Sequence, residues 1–110
     1  NYNDGTVYGT IHWDNNGQAS WGANNSLPSG ELYAEEFHVF SIIWTPSSIK
    51  WMVDDIEYHT ANITPAALSE LHQDFFFIFN VAVGGTWPGS PDATTIFPQT
   101  MAVDYVRVFQ

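Results

Sequence analysis

Short apolar stretches, alternating or continuous, are each halted by glycine, proline, asparagine or serine before they reach helical length, and this punctuation dictates strands. Thr6–Trp13 reads as a strand, with Thr10 and His12 on one face and Gly9, Ile11 and Trp13 on the other, because side chains repeat every second residue. Residues Asp14 to Pro28 are rich in Asn, Gly and Ser and read as a surface loop that carries Trp21. Phe37–Thr45 alternates His38, Phe40, Ile42 and Trp44 against Val39, Ser41 and Ile43. Turn chemistry follows at Pro46-Ser47-Ser48, then a second arm Ile49–Val53, a turn at Asp54-Asp55 and a third arm Ile56–Thr60, which together make a meander. Trp44 and Trp51 alternate within this hairpin and read as core.

Thr64 as N-cap and Pro65 at the first helical position open one or two helical turns through Leu71. Phe75–Val83 is nearly all apolar and reads as a central strand covered on both faces, with Asn80 inside it. Gly84-Gly85 ends that run, a loop punctuated by Pro and Gly leads to Pro98, and Met101–Phe109 alternates as a closing strand. The expectation is an all-β sandwich forming one domain over residues 1–110, with no repeat and no linker.

Five Trp, eight Phe and five Tyr exceed what a chain of 110 residues readily buries, so some rings must face a ligand or a partner. A formal charge of −10 repels phosphate backbones and anionic headgroups, which argues against nucleic acid and membrane surfaces as partners. Without cysteine there is neither a disulfide framework nor a thiolate metal site. No apolar run approaches the ~20 residues that span a bilayer, and the first residues lack the order of a signal peptide.

Four collinear segments carry a family resemblance: GTIHW at 9–13, FHVFSIIWTPSSIKWMVDD at 37–55, FNVAVGGTWPG at 79–89 and FPQTMAVDYVRVFQ at 97–110. The chain resembles the C-terminal half of laminarinase-type members of glycoside hydrolase family 16. That resemblance implies half of a concanavalin-like β-jelly-roll sandwich, completed by a second chain or a second copy, in which two curved sheets bend around a β-glucan cleft. It also implies export from the cell. Family catalysis depends on a Glu-x-Asp-x-x-Glu or Glu-x-Asp-x-x-x-Glu segment one short connection upstream of GTIHW, and the chain begins in that connection at Asn1. Retaining hydrolysis needs two carboxyls ~5–5.5 Å apart, one of them held protonated. Glu31 and Glu36 are a poor substitute, since Tyr33 stands where the intervening Asp belongs, and the adjacent Asp54 and Asp55 are turn formers. No recognisable nucleophile context and no His-Glu-x-x-His spacing occurs.

Sugars are held by rings stacked on the pyranose face and by a few polar groups that fix the hydroxyls. The candidate binding residues are His12 and Thr10, which the resemblance places in the cleft, with Asn80 at its floor and Trp87 at its rim; Trp13 and Trp21 are weaker candidates. Asn80 also stands out on first principles, because an amide inside an apolar strand is costly unless hydrogen-bonded. The resemblance makes Asp104 a ligand of a structural calcium ion, with the other ligands supplied from outside this chain. Three functions follow: the glucan-recognising portion of an endo-β-1,3- or 1,3-1,4-glucanase, inactive alone; a non-catalytic β-glucan-binding module acting as an oligomer; or a structural assembly domain. The partners expected are a β-glucan and either the missing N-terminal half or a second copy.

Overall fold

A computed structural model of the chain describes residues 5–28, 30–87 and 89–110. The connection at Asn1 and the proline of the 79–89 segment lie outside the described residues. The chain forms two compact units, one ending at Phe75 and the other made of Phe76–Gln110.

The first unit contains two antiparallel sheets. Strands β1 (Thr6–Asp14) and β2 (Gln18–Ser26) pair as a hairpin, and β3 (Phe40–Trp44), β4 (Ser48–Val53) and β5 (Ile56–Asn62) form a meander in that order. The predicted loop at 14–28 is therefore a turn and a strand. Asn16 (φ 58) and Gly17 (φ 130) take the left-handed backbone that Asn and Gly tolerate, and Gly17 N–H is held by Asp14 Oδ1 at 2.8 Å, which closes the reversal. Polar residues alternate with Ala19, Trp21 and Ala23 along β2, so its composition imitates a loop although its period is that of a strand.

The predicted meander is present, and Asp54 (φ 49) and Asp55 (φ 64) make the two-residue reversal between β4 and β5. Asp54 also extends the β3–β4 pairing, since its N–H donates to Val39 O and its Oδ1 accepts from Val39 N–H, both at 2.9 Å. A bulge interrupts β5: Trp51 faces His59 and Met52 faces Glu57, leaving Tyr58 as the extra residue. Tyr58 Oη and the Trp51 ring both crowd the position where Gly9 would carry a Cβ, and the His59 ring stacks on Trp51. Two consecutive residues, Tyr58 and His59, thus serve the same face of the sheet.

The core joins Ile11 of β1, Ile49 of β4 and Ala61 of β5 to Ile63, Leu68 and Leu71, with Trp13 and Trp51 packed against it. Leu68 and Leu71 come from a 3₁₀ segment, Ala66–His72, tied back by His72 Nε2–H donating to Ile63 O at 2.9 Å. Pro65, not Thr64, is its N-cap residue, because Thr64 spends both its N–H and its hydroxyl on Asn62 Oδ1. Trp51 therefore packs with the core as expected, whereas Trp44 is 38% exposed and meets Phe75 at a ring separation of 4.9 Å.

In the second unit no described residue belongs to a paired strand, although 75–83 and 101–109 were predicted to be strands. A strand needs a neighbour to complete its ladder, and among the described residues none pairs with these segments. Their two-residue side-chain period persists nevertheless. The rings of Phe77 and Phe79 stack at 6.0 Å, and the guanidinium of Arg107 lies 4.5 Å over the Tyr105 ring. The segment 75–83 is exposed throughout rather than covered on both faces, and Asn80 is exposed with it.

Candidate functional site

The register of the first hairpin decides which side chains share a face. Thr10 opposes Gly22, His12 opposes Ser20 and Tyr8 opposes Asn24, and all six residues are exposed. The opposite face carries Gly9, Ile11 and Trp13 from β1 with Trp21, the partner of Ile11, from β2. Pleating thus sorts one hairpin into an apolar face turned to the core and a face of hydroxyl, imidazole, amide and phenol groups turned outward.

Gly22 sets the detail of the outer face. A Cβ there would collide with the Gly9 carbonyl oxygen and stand 2.6 Å from Thr10 Oγ1, so the missing side chain is what allows the Thr10 hydroxyl to lean across toward β2. The hydroxyl then lies midway along the hairpin, between the His12–Ser20 pair and the Tyr8–Asn24 pair. The mixture suits a neutral, hydroxyl-rich ligand, and the one carboxylate on this face, Asp14 at the turn end, accepts from Gly17 N–H.

Below this face is a cavity of about 290 Å³ lined by Thr10, Ile11 and His12 of β1 together with Ile42, Trp44, Ile49, Trp51, Leu71 and Phe75. Apart from Thr10 and His12 at β1, its walls are apolar rings and aliphatic chains, and with Ile42, Trp44 and Phe75 exposed it opens to solvent. The second unit has its own cavity of about 200 Å³, lined by Val81–Gly84, Gly89–Asp92, Thr95, Phe97 and Gln99. There the Asp92 carboxyl accepts from the Thr94 hydroxyl and backbone N–H, which hold it below the usual carboxylate range.

Of the sequence-predicted binding residues, Thr10 and His12 come together on the outer face. Trp13 and Trp21 occupy the inner face: Trp13 packs against the core, its Nε1 buried without a hydrogen-bond partner among the described residues, and Trp21 meets the His59 ring edge-on at 5.1 Å. Asn80 and Trp87 belong to the second unit, both exposed. Asp104 is exposed there too, and among the described residues no group of three or more His, Asp or Glu side chains gathers to hold a metal ion. Sequence reasoning missed Ser20, Gly22 and Asn24 because it read β2 as a loop; the signal available was the Asn16-Gly17 pair followed by a two-residue period.

A second polar arrangement lies at the β4–β5 turn, where His38 Nδ1 and Asp54 Oδ2 are 2.7 Å apart and the Tyr33 ring meets His38 edge-on. The hydrogen bond from His38, followed by that from Val39 N–H, holds the Asp54 carboxyl below its ordinary range. It is a turn lock, since Asp54 bridges His38 and Val39 within the meander.

The model of the glycosyl hydrolases family 16 matches residues 1–107. The chain is 35% identical to the clotting factor G alpha subunit of Tachypleus tridentatus, over all of this chain and 16% of that protein. It is 34% identical to a beta-glucanase of Rhodothermus marinus, over 99% of this chain and 41% of that one. Among solved structures, the catalytic domain of an endo-1,3-beta-glucanase (laminarinase) from Thermotoga petrophila superposes with a TM-score of 0.63 at 40% identity, covering 86% of this chain and 40% of that domain. The antiparallel all-β fold thus matches a laminarinase catalytic domain, of which this chain spans well under half.

Proposed function

The chain belongs to glycosyl hydrolase family 16, and from that premise we propose that it supplies the β-glucan-recognising portion of an endo-β-1,3- or 1,3-1,4-glucanase. The observation that supports this reading is the outer face of the first hairpin, where Thr10 and His12 share one face with exposed polar neighbours. The role of Thr10 and His12 is to fix sugar hydroxyls. Asn80 and Trp87, both exposed within the second unit, are assigned to sugar binding by the family resemblance.

The 110-residue chain contains no Glu-x-Asp-x-x-Glu segment, so on its own it binds glucan without cleaving it. The apolar cavity beneath β1 and the exposed apolar residues of 75–83 favour completion by the remainder of a family 16 domain or by a second copy. Calcium at Asp104 would need ligands from that remainder, and export from the cell goes with an enzyme acting on polysaccharide. Calorimetric titration of the 110-residue chain with laminarin tests this. Saturable binding is expected, without release of reducing sugar until a chain bearing the carboxylate strand is added. Unaided hydrolysis would refute the division of labour, and the absence of binding would refute the recognition role.

A second reading, a binding module that does not hydrolyse in any context, is favoured by the likeness to a beta-1,3-glucan-binding protein of Penaeus monodon, 28% identical over 86% of this chain and 32% of that protein. It separates from the first when the complementary chain is added, since only the first then gives cleavage.

A further inference from the structure

Resting on the reading of the hairpin as a glucan surface, we propose that β2 supplies half of the sugar contacts, with Ser20 and Asn24 as specificity-determining residues on either side of a floor formed by Gly22 and the Thr10 hydroxyl.

Register sets which side chains share the face. His12 and Ser20 form one cross-strand pair, Thr10 and Gly22 the next on that face, and Tyr8 and Asn24 the third. Successive same-face pairs lie two residues apart along the strands, so the outer pairs are separated by ~13 Å. That span accommodates more than one sugar ring of an extended chain. Opposed side chains across a ladder stand ~4.5–5.5 Å apart at Cβ, close enough for one hydroxyl-bearing ring to meet both strands.

Polar commitments within the hairpin separate these residues from their neighbours. At the strand ends the Thr6 and Ser26 hydroxyls bond each other at 2.9 Å. On the opposite face the Asn25 amide donates to the Tyr33 hydroxyl at 2.8 Å. Ser20, Asn24, Thr10 and His12 make no side-chain hydrogen bond to any described residue, so their donors and acceptors are open to a ligand. No lysine or arginine stands in the three pairs, and the adjoining pair on that face brings only the Asp14 carboxylate, which favours a neutral polyol over an anionic glycan.

The floor is built for contact as well. A side chain at position 22 would occupy the space between the outer pairs, and its absence leaves a low saddle carrying one hydroxyl. Tyr8 is 45% exposed at one end of this face.

Ser20→Ala, Asn24→Ala and the double variant, titrated calorimetrically with laminarihexaose, test this. Far-ultraviolet circular dichroism verifies the hairpin, and the charged hexasaccharide of a sulfated glucan serves as a second probe. Each single variant is expected to weaken laminarihexaose binding by about fivefold to tenfold, and the double variant by more, with the spectrum unchanged. The sulfated probe should bind neither wild type nor variants. Unchanged affinity in the double variant, while His12→Ala weakens binding, would overturn the role of β2 and leave the glucan reading intact. Silence from the wild type toward laminarihexaose would overturn that reading itself.

Discussion

Gly22 shows how one missing methyl group shapes a surface. Replacing it with alanine forces a Cβ against the Gly9 carbonyl and 2.6 Å from Thr10 Oγ1, so either the ladder opens or Thr10 turns away. Gly22→Ala is expected to destabilise the chain by ~1–3 kcal/mol, read as a lower denaturant midpoint, and to weaken laminarin binding beyond what Thr10→Ala does. At this scale the sequence was legible where periodicity held: Thr10 and His12 were assigned to one face of β1 and share it. Asn80 was singled out because burial of an amide is costly, yet its exposure removes that reason, since burial depends on what lies over a strand.

Among the elements, the β4–β5 hairpin was readable because Asp54-Asp55 are turn residues between alternating strands. The β1–β2 hairpin escaped notice because polar residues fill both the turn and one face of the returning strand. Likewise, no local pattern announces a bulge, so the pairing of Tyr58 and His59 on one face could not be foreseen. The β4–β5 turn makes a prediction of its own. The carboxyl of Asp54 is held below its ordinary value by His38 and Val39 N–H, so in the folded chain it stays ionised to lower pH than when unfolded. Its contribution is therefore present above ~3.9, the unfolded value, and is lost as pH falls through the lower folded value. With the Asp54 side chain 47% exposed, solvent keeps the effect small. Asp54→Asn should lower the urea midpoint near neutral pH, and the gap from wild type should close as the pH is taken below the folded value; a gap independent of pH would contradict this.

The molecule as a whole exposes what a sandwich would cover: Phe76 is 82% exposed, Ile78 74% and Phe109 87%. Burial of apolar surface at ~25 cal/mol per Å² makes such a surface a strong drive to associate. Light scattering at micromolar concentration should give a mass above that of a single chain, replaced by the mass of a one-to-one complex when a chain carrying the remainder of a family 16 domain is added; a stable monomer would argue against completion by a second copy. The sequence conveyed the all-β class and the family, because strand punctuation and motif order are local properties, but not which strands would find neighbours. The bulge at Tyr58 carries one consequence for related chains. Deleting that residue would bring Glu57 and His59 into regular opposition with Met52 and Trp51, leaving every other pair of β4 and β5 in step. A relative shorter by one at this point would therefore keep the same sheet while forfeiting the phenol beside Gly9, so a single gap there in a comparison of sequences records the loss of an inward ring and not a shift of the strand.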